Sequence, residues 1–598
     1  MKISSYISPN VFARPVANPA ATVASPAATP VVSPPLAPRD EAVFWLTAAA
    51  EIEHFLMVHY LFASYSLDEG RGGDAADKVR MLKDILRQIA REEMGHLITV
   101  QNLLTLLGAP LHLGREHSPH ASEIYPFRFA LERVSLDSLA KYAIAESPVD
   151  RAALDVGLTA DELRLYDTEL EPRARKSNDG HMVRHVGPLF ARLRELFAHD
   201  LRDEDFRLDR VSRQARWDDW GYRPHPFPVK DIDLRVLVHT FDQVDSADAR
   251  RAAVSAIQEI GDQGEEADVD MGDGESHFER FIAAYKLLAE IEQETGTVPV
   301  WPVVSDPNVT VAVSSGQGAG DAPDGRITAS RTRAWAQLFN LRYRLLLRFL
   351  AHALRSEGPV FVREGGQSGD RTPKGLLAYW TFKEMRRLKK IAGKLVQMPL
   401  NDAGGETRAG PPFELPYRLD LPPDDTDCWR GHADVFRATE NLARELTSTD
   451  EDRDDPFLAF LVEDDAGSIA MADLLGSGGS LPASGAAYEF RKVAEILDEA
   501  VRGFSVGPPH QAFWRDTDLQ QFLASSVNPV KAGDPDGSAI IQRIGLPEEN
   551  LQRMPRYRPR IAQVRIDYIR NWISRGAPDS QPPGMIGVVS EPEPLPEN

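Results

Sequence analysis

The chain has 598 residues, of which 42% are hydrophobic, so it is long enough to form more than one buried core. Its formal net charge is −22, which argues against a nucleic-acid partner. The single cysteine, Cys428, excludes an internal disulfide, a zinc site built on several thiolates and a covalently attached c-type haem. Carboxylates and histidines must therefore supply any metal ligands.

Residues 1–39 are rich in Ala, Pro, Val and Ser and are predicted to form a disordered arm. Prolines interrupt the apolar run that a signal peptide would need, so we expect a cytoplasmic protein. A first helix is predicted to begin after Asp40 as its N-cap and to continue through the apolar segment 42–67. The glutamates and histidines in its middle favour a buried bundle helix over a membrane span.

Two glutamates of this helix, Glu51 and Glu53, are about 200° apart around its axis, so they cannot both face the core. Glu53 shares its face with apolar residues and is predicted to point inward. It is either a metal ligand or the partner of a buried arginine.

A second helix, residues 79–107, carries two polar residues inside its apolar stripe. The stripe advances by alternating steps of three and four residues: Leu86, Ile89, Glu93, His96, Val100, Leu103 and Leu107. Burying an unpaired carboxylate there would cost on the order of several kcal/mol, and a metal ion removes this penalty. Glu-x-x-His on a core-facing helix is the repeated unit of di-iron and di-manganese bundles. Glu92 falls off the stripe and is expected to face solvent.

Two later helices place a carboxylate in an apolar row. In residues 136–146 the stripe ends at Glu146, for which the alternative is a water-exposed helix end. In residues 249–265 the inner face ends at Glu265, the ligand candidate of this helix.

The following helix is predicted to open with a capping box between Ser276 and Glu279. His277 then lies on the inner stripe, either as the second imidazole of a metal site or as a core histidine with a backbone partner. With it, the candidate set comprises four carboxylates and two histidines, which suits iron or manganese, while the Irving–Williams order also permits zinc or copper in vitro.

The chain contains an ordered series of characteristic stretches at residues 50–61, 92–96, 101–104, 108–110, 144–148, 263–265, 276–278, 339–343 and 409–414. This series resembles the ferritin-like domain of iminophenyl-pyruvate dimer synthases. Family members act in violacein and rebeccamycin pathways, where they join two aromatic imino acids. The chain departs from the family at Val58-His59, where prolines are usual, and at Glu266, where glycine is usual. His59 would add a polar group near the site.

The resemblance implies a metal site whose residues, carried over by position, are Glu53, Glu93, His96, Glu146, Glu265 and His277. It implies two Fe ions, with Mn as the alternative. It also implies a small-molecule substrate, an aromatic amino-acid-derived imine, supplied by a partner oxidase of the same biosynthetic pathway. A homodimer is compatible with the sequence, and neither nucleic acid nor membrane is an expected partner.

Residues 481–598 hold a second resemblance, to a small cytochrome c-type domain. Its pieces are residues 513–515, 533–538, 554–555 and 571–578. His510 and Met554 stand where axial ligands would be, but Val506-Gly-Pro-Pro-His510 lacks both cysteines of the haem-attachment motif. We therefore expect a haem-less structural or docking domain with a disordered tail, and the alternative is a non-covalently bound haem.

The predicted fold is mainly α, a ferritin-like helical bundle with a smaller α-helical C-terminal domain. The predicted segments are the arm at 1–39, the metal-binding domain at 40–418, a helical connector and linker at 419–480, and the C-terminal domain at 481–598. The arginines of a helix at 331–355 are expected to form a solvated rim. The predicted function is a metal-dependent oxidoreductase or oxidative coupling enzyme. The alternative is a non-catalytic scaffold that assembles partner enzymes.

Overall fold

The computed structural model describes residues 35–115, 125–216, 238–265, 276–309, 325–360, 372–403, 405–415 and 419–481, and parts of 490–577. Nearly all of the predicted N-terminal arm thus lies outside the described residues. The chain divides into two compact units, Met1–Pro423 and Asp424–Asn598. The finer boundaries at 418 and 480 stay predictions.

The described residues form helices joined by loops and short turns, with isolated β-bridges in place of strands. The first unit contains α1 (Pro38–Ser66), α2 (Ala76–Leu106), α3 (Leu136–Ala145), α4 (Arg151–Gly157), α5 (Ala160–Leu165), α6 (Glu171–Ser177), α7 (Gly187–Glu195), α8 (Ser246–Glu265), α9 (His277–Thr295), α10 (Ser330–Arg355) and α11 (Pro373–Leu395). The second unit contains α12 (Asp425–Thr447), α13 (Pro456–Gly476), α14 (Leu519–Leu523), α15 (Ala539–Ile544) and α16 (Gln563–Ser574). The predicted mainly α fold is confirmed.

Helix α1 is the central element of the first unit. It is mostly apolar and is buried along most of its length, as expected for a helix surrounded by other helices. It packs against α2 and α7, while α9 packs against α2 and α3, and α8 against α7. The helix begins at Pro38, with Ala37 as N-cap, so the predicted N-cap Asp40 instead lies in its first turn. Proline suits this position because its missing N–H would have no partner there. No described helix is long and apolar enough to cross a membrane.

Local sequence signals set the ends of the two helices that frame the site. Helix α3 begins at a capping box between Ser135 and Ser138, and Glu146 is its C-cap residue. Pro148 follows and disfavours further helix in the residue before it. Helix α9 opens with the predicted capping box of Ser276 and Glu279, which is confirmed.

The arginines of α10 do not all form the expected solvated rim. Arg342 is completely buried, and its Nη1 lies 3.1 Å from Oε1 of Glu384 on α11. The same oxygen accepts a 2.6 Å hydrogen bond from Arg387. The expectation was wrong here because α11 covers this face and supplies a carboxylate that offsets the buried charge.

The second unit pairs α12 with α13, which are N-capped by Asp424 and Asp455. Its residues beyond 490 have an apolar core that includes Trp572 of α16. Met554 is described, but His510 lies outside the described residues. The cytochrome c-like identity and the absence of haem stay predictions.

Candidate metal centre

The glutamates of α1 separate as their angular positions predict. Glu53 is only 2% exposed. Glu51 lies on another side, where its carboxylate accepts hydrogen bonds from His112 Nε2 at 2.9 Å and from Tyr125 at 2.9 Å. Glu53 has no arginine partner among the described contacts. Its neighbours are instead the Glu-x-x-His pair of α2.

On α2, Glu93 and His96 are both buried and face α1. His96 Nδ1 donates to Oε2 of Glu93 at 3.1 Å and lies 3.4 Å from Oε2 of Glu53. The three side chains from two helices therefore converge on one point. The spacing of three residues places the carboxylate and the imidazole together, as the sequence predicted.

Helices α3 and α9 contribute the remaining side chains of the cluster, Glu146 and His277. His277, the first residue of α9, has its Nδ1 3.1 Å from Oε1 of Glu93 and 3.9 Å from Oε2 of Glu146. Tyr60 of α1 donates to the other oxygen of Glu146 and so fixes that carboxylate. Glu146 is buried, which excludes the alternative of a water-exposed helix end. His277 contacts carboxylates rather than a backbone partner.

Two groups of ligand atoms result, and they share Glu93. One consists of Glu53, Glu93 and His96, and the other of Glu93, Glu146 and His277, with the ligand atoms of each group within 4.8 Å of one another. A carboxylate common to two ligand groups has the arrangement of a bridging ligand. Of the predicted residues, only Glu265 is not located, because its side chain lies outside the described part of α8.

Glu92 is the residue that the sequence analysis missed. It was expected to face solvent but is 5% exposed, because α9 covers this side of α2. Its Oε2 accepts a 2.8 Å hydrogen bond from His277 Nε2, and Arg280 holds both of its oxygens. A usable signal was Arg280 itself. It follows His277 by three residues and so lies on the same face of the helix, where an acidic partner would be favourable.

The outward nitrogen of the other histidine has a neutral partner. His96 Nε2 donates to Oε1 of Gln263 on α8 at 2.6 Å. His59, expected near the site, is not part of the cluster. It packs among Phe55, Phe127 and Phe129, with Nδ1 2.7 Å from the Phe55 carbonyl.

The pKa values of Glu53, His96, Glu146 and His277 are all raised, so these groups keep their protons to a higher pH than usual. Burial and the neighbouring Glu93 raise the pKa of Glu146 to about 7 and that of Glu53 well above its usual range. Burial opposes charging of His277, but Glu93 and Glu92 outweigh it and raise the pKa of His277 to about 9. Burial likewise opposes charging of His96, while Glu53 and Glu93 raise its pKa. Each of these protons is one that a bound metal ion would displace.

The residues fit a metal pair. Oε2 of Glu53 and Oε1 of Glu93 are buried and accept no well-aligned hydrogen bond among the described residues, although an imidazole Nδ1 lies 3.4 Å from the first and 3.1 Å from the second. Buried carboxylate oxygens in this state are costly unless a cation contacts them. Carboxylate and imidazole donors without thiolate suit iron or manganese. A cavity of about 10 Å³ adjoins the ligand atoms, and its apolar wall includes Val186, Phe190 and Ile260.

A larger cavity of about 590 Å³ exists elsewhere in the first unit. It is lined by the loop around residues 109–115 and by the C-terminal part of α10, and it includes Arg210, Arg213 and Arg355. None of the candidate ligands lines it. The two cavities are therefore separate features of the described structure.

Comparisons with known proteins agree with this architecture. Residues 46–286 match the family model described as ferritin-like. The chain is 25% identical over 439 residues to dichlorochromopyrrolate synthase of Lentzea aerocolonigenes, an alignment that covers 68% of this chain. The chain spans about 38% of the length of that relative. No solved structure matches. Residues 46–286 are therefore similar in sequence to ferritin-like proteins, and the described helical bundle is consistent with a ferritin-like fold.

Proposed function

We propose that this chain is an oxidoreductase with a dinuclear metal centre, which acts in a biosynthetic pathway on a small amino-acid-derived imine. The observation that carries the proposal is the sharing of Glu93 between two buried ligand groups. Two Fe ions, with Mn as the alternative, would be held by Glu53, Glu93 and His96 and by Glu93, Glu146 and His277. Glu265 is the remaining ligand candidate. The similarity to a biosynthetic synthase supports a coupling reaction.

When bound, the metal pair would supply redox chemistry with dioxygen. The chain's own residues position and protect that chemistry. Tyr60 orients Glu146 by donating to its Oε1, and the apolar wall of Val186, Phe190 and Ile260 keeps bulk water away from the ligand atoms. Exclusion of water strengthens every electrostatic interaction inside the site.

The size of the cavity beside the ligand atoms limits what can enter it. About 10 Å³ is at the lower limit for one water molecule and is far too small for an aromatic imine. The organic substrate must therefore approach from the rim. Gly187 of α7 and Gly261 of α8 are among the residues that line this cavity.

Metal analysis of the purified protein by inductively coupled plasma mass spectrometry is the first test, with an absorption spectrum of the same sample. We expect about two Fe or Mn ions per chain, as in other carboxylate bundles, and no Soret band. Aromatic imines are then generated by an added amino-acid oxidase, and the dioxygen consumed beyond that of the oxidase alone is measured together with the coupled product. The matched control is Glu51→Gln, which alters a carboxylate–histidine pair on the other side of α1. A protein that stays metal-free after anaerobic reconstitution with Fe²⁺ and Mn²⁺ overturns the proposal.

A scaffold that assembles partner enzymes is the second candidate, and the separate compact unit Asp424–Asn598 favours it. It predicts that Glu93→Ala keeps product formation in an extract containing the partner enzymes. It also predicts that removal of residues 480–598 abolishes that product formation. The oxidoreductase proposal predicts loss of product with Glu93→Ala.

A further inference from the structure

The two candidate metal-binding histidines differ in the partner of their outward nitrogen. Both direct Nδ1 towards Glu93, at 3.1 Å in each case. On the opposite edge of the ring, His277 donates to the carboxylate of Glu92 at 2.8 Å, whereas His96 donates to the amide oxygen of Gln263 at 2.6 Å. The two histidines thus make the same contact with Glu93 through Nδ1 but have different partners at Nε2, a carboxylate for His277 and an amide for His96.

Glu92 is fixed in place independently of any metal. Arg280 lies one turn after His277 on α9 and binds both oxygens of Glu92. The carboxylate is therefore buried as a charged group with a neutralising partner, so its orientation towards His277 is maintained.

A carboxylate behind a metal-binding imidazole fixes the ring's orientation and increases its basicity, more than a neutral amide does. We propose that Glu92 is a positioning residue that makes the Glu93, Glu146 and His277 position the tighter of two unequal metal positions. The position of Glu53, Glu93 and His96, supported by Gln263, is the weaker one and fills second. This inference rests on the proposed metal centre and adds an order of loading to it.

The test uses the full-length metal-free protein and Co²⁺ as the probe, titrated anaerobically and followed by calorimetry and visible absorption. Wild type is expected to bind in two steps, each with its own absorption change. His277→Ala should remove the tight step and His96→Ala the weak one. The opposite assignment, or two equal steps in wild type, overturns the inference.

Variants at the outward partners separate positioning from simple structural damage. Glu92→Gln is expected to weaken the tight step by about 10–100-fold and leave the weak step unchanged. Gln263→Glu gives His96 a carboxylate partner and is expected to tighten the weak step, a gain that misfolding cannot produce. The double variant should reverse the order of loading. Glu51→Gln, which breaks the comparable pair with His112, is the control and should leave both steps unchanged.

The outcomes distinguish this inference from the proposed function. If Glu92→Gln and Gln263→Glu both bind Co²⁺ with wild-type affinities and spectra, the positioning role is overturned and the metal centre stands. If wild type binds no Co²⁺ at all, the metal centre itself is overturned and the inference falls with it. Circular dichroism of each variant accompanies every titration. If Glu92→Gln loses helical signal, the inference is decided by the Co²⁺ affinity of Gln263→Glu alone.

Discussion

The imidazole rings of His96 and His277 lie with their centroids 5.6 Å apart and their planes inclined by 29°. They belong to different helices, α2 and α9, and both turn Nδ1 towards the carboxylate of Glu93. Each oxygen of Glu93 therefore faces a different histidine. Glu93 therefore contacts both histidines, whereas Glu53 lies beside His96 and Glu146 beside His277.

Replacement of Glu93 should affect both metal positions, whereas replacement of an outer glutamate should affect one. We expect Glu93→Ala to reduce metal content from about two ions per chain to well below one, because both ligand groups lose an oxygen donor. Glu53→Ala and Glu146→Ala should each retain about one ion. Mass spectrometry of reconstituted samples measures this directly. Equal metal content in all three variants would contradict a bridging role.

The N-cap of α9 should matter for the metal as well as for stability. Ser276→Ala removes the capping box that begins the helix immediately before His277, and should cost about 1 kcal/mol of unfolding free energy. It should also weaken metal binding, because the first turn fixes the position of His277. The matched control is Thr159→Ala, which removes the capping box of α5, a helix without candidate ligands. Urea unfolding and Co²⁺ titration are measured on both variants. Equal metal affinity in the two would show that the cap acts on stability alone.

The buried ion pair between α10 and α11 should be a large stability determinant. Glu384→Ala takes the carboxylate away from Arg342 and Arg387, both completely buried, and should destabilise the protein by about 3–5 kcal/mol. Glu294→Ala breaks a more exposed pair with Lys78 and should cost at most about 1 kcal/mol. Chemical unfolding of the two variants compares them. A cost for Glu384→Ala no greater than that for Glu294→Ala would contradict the assignment.

Metal binding should release protons and strengthen as the pH rises towards 9. The pKa of His277 is raised to about 9 by Glu93 and Glu92 against the effect of burial, so below that pH its Nδ1 carries a proton that the metal must displace. Glu146, whose pKa burial raises to about 7, adds a second proton at lower pH. Co²⁺ titrations in weak buffer with a pH indicator measure the release. A pH-independent affinity between pH 6 and 9 would contradict it.

The same pKa gives the metal-free protein a pH-dependent stability of defined sign. A histidine whose folded-state pKa exceeds its unfolded value of about 6.5 stabilises the fold fully below that pH. This contribution is lost as the pH rises through about 9. The melting temperature of the metal-free protein should therefore fall between pH 6.5 and 9. His277→Gln should show a smaller fall over this range, measured by circular dichroism.

The sequence alone was sufficient for the helical fold and for the prediction that Glu53, Glu93, His96, Glu146 and His277 face its interior. The alternating steps of three and four around Glu93 and His96 report directly which side of α2 faces the core, because a helix repeats every 3.6 residues. The same rule separated Glu53 from Glu51, and the capping signal of Ser276 located the start of α9. These are local properties, so neighbouring residues are enough to read them.

Only the tertiary structure decided which side chains meet across different helices. Glu92 falls off the apolar stripe of α2, yet α9 packs over it and brings Arg280 and His277 to its carboxylate. Arg342 is buried beside Glu384 of α11, which offsets its charge. The sharing of Glu93 likewise depends on α9 lying against α2. Helical periodicity fixes the direction of a side chain relative to its own helix. The charge that meets it depends on a segment far away in the chain, which no local pattern encodes.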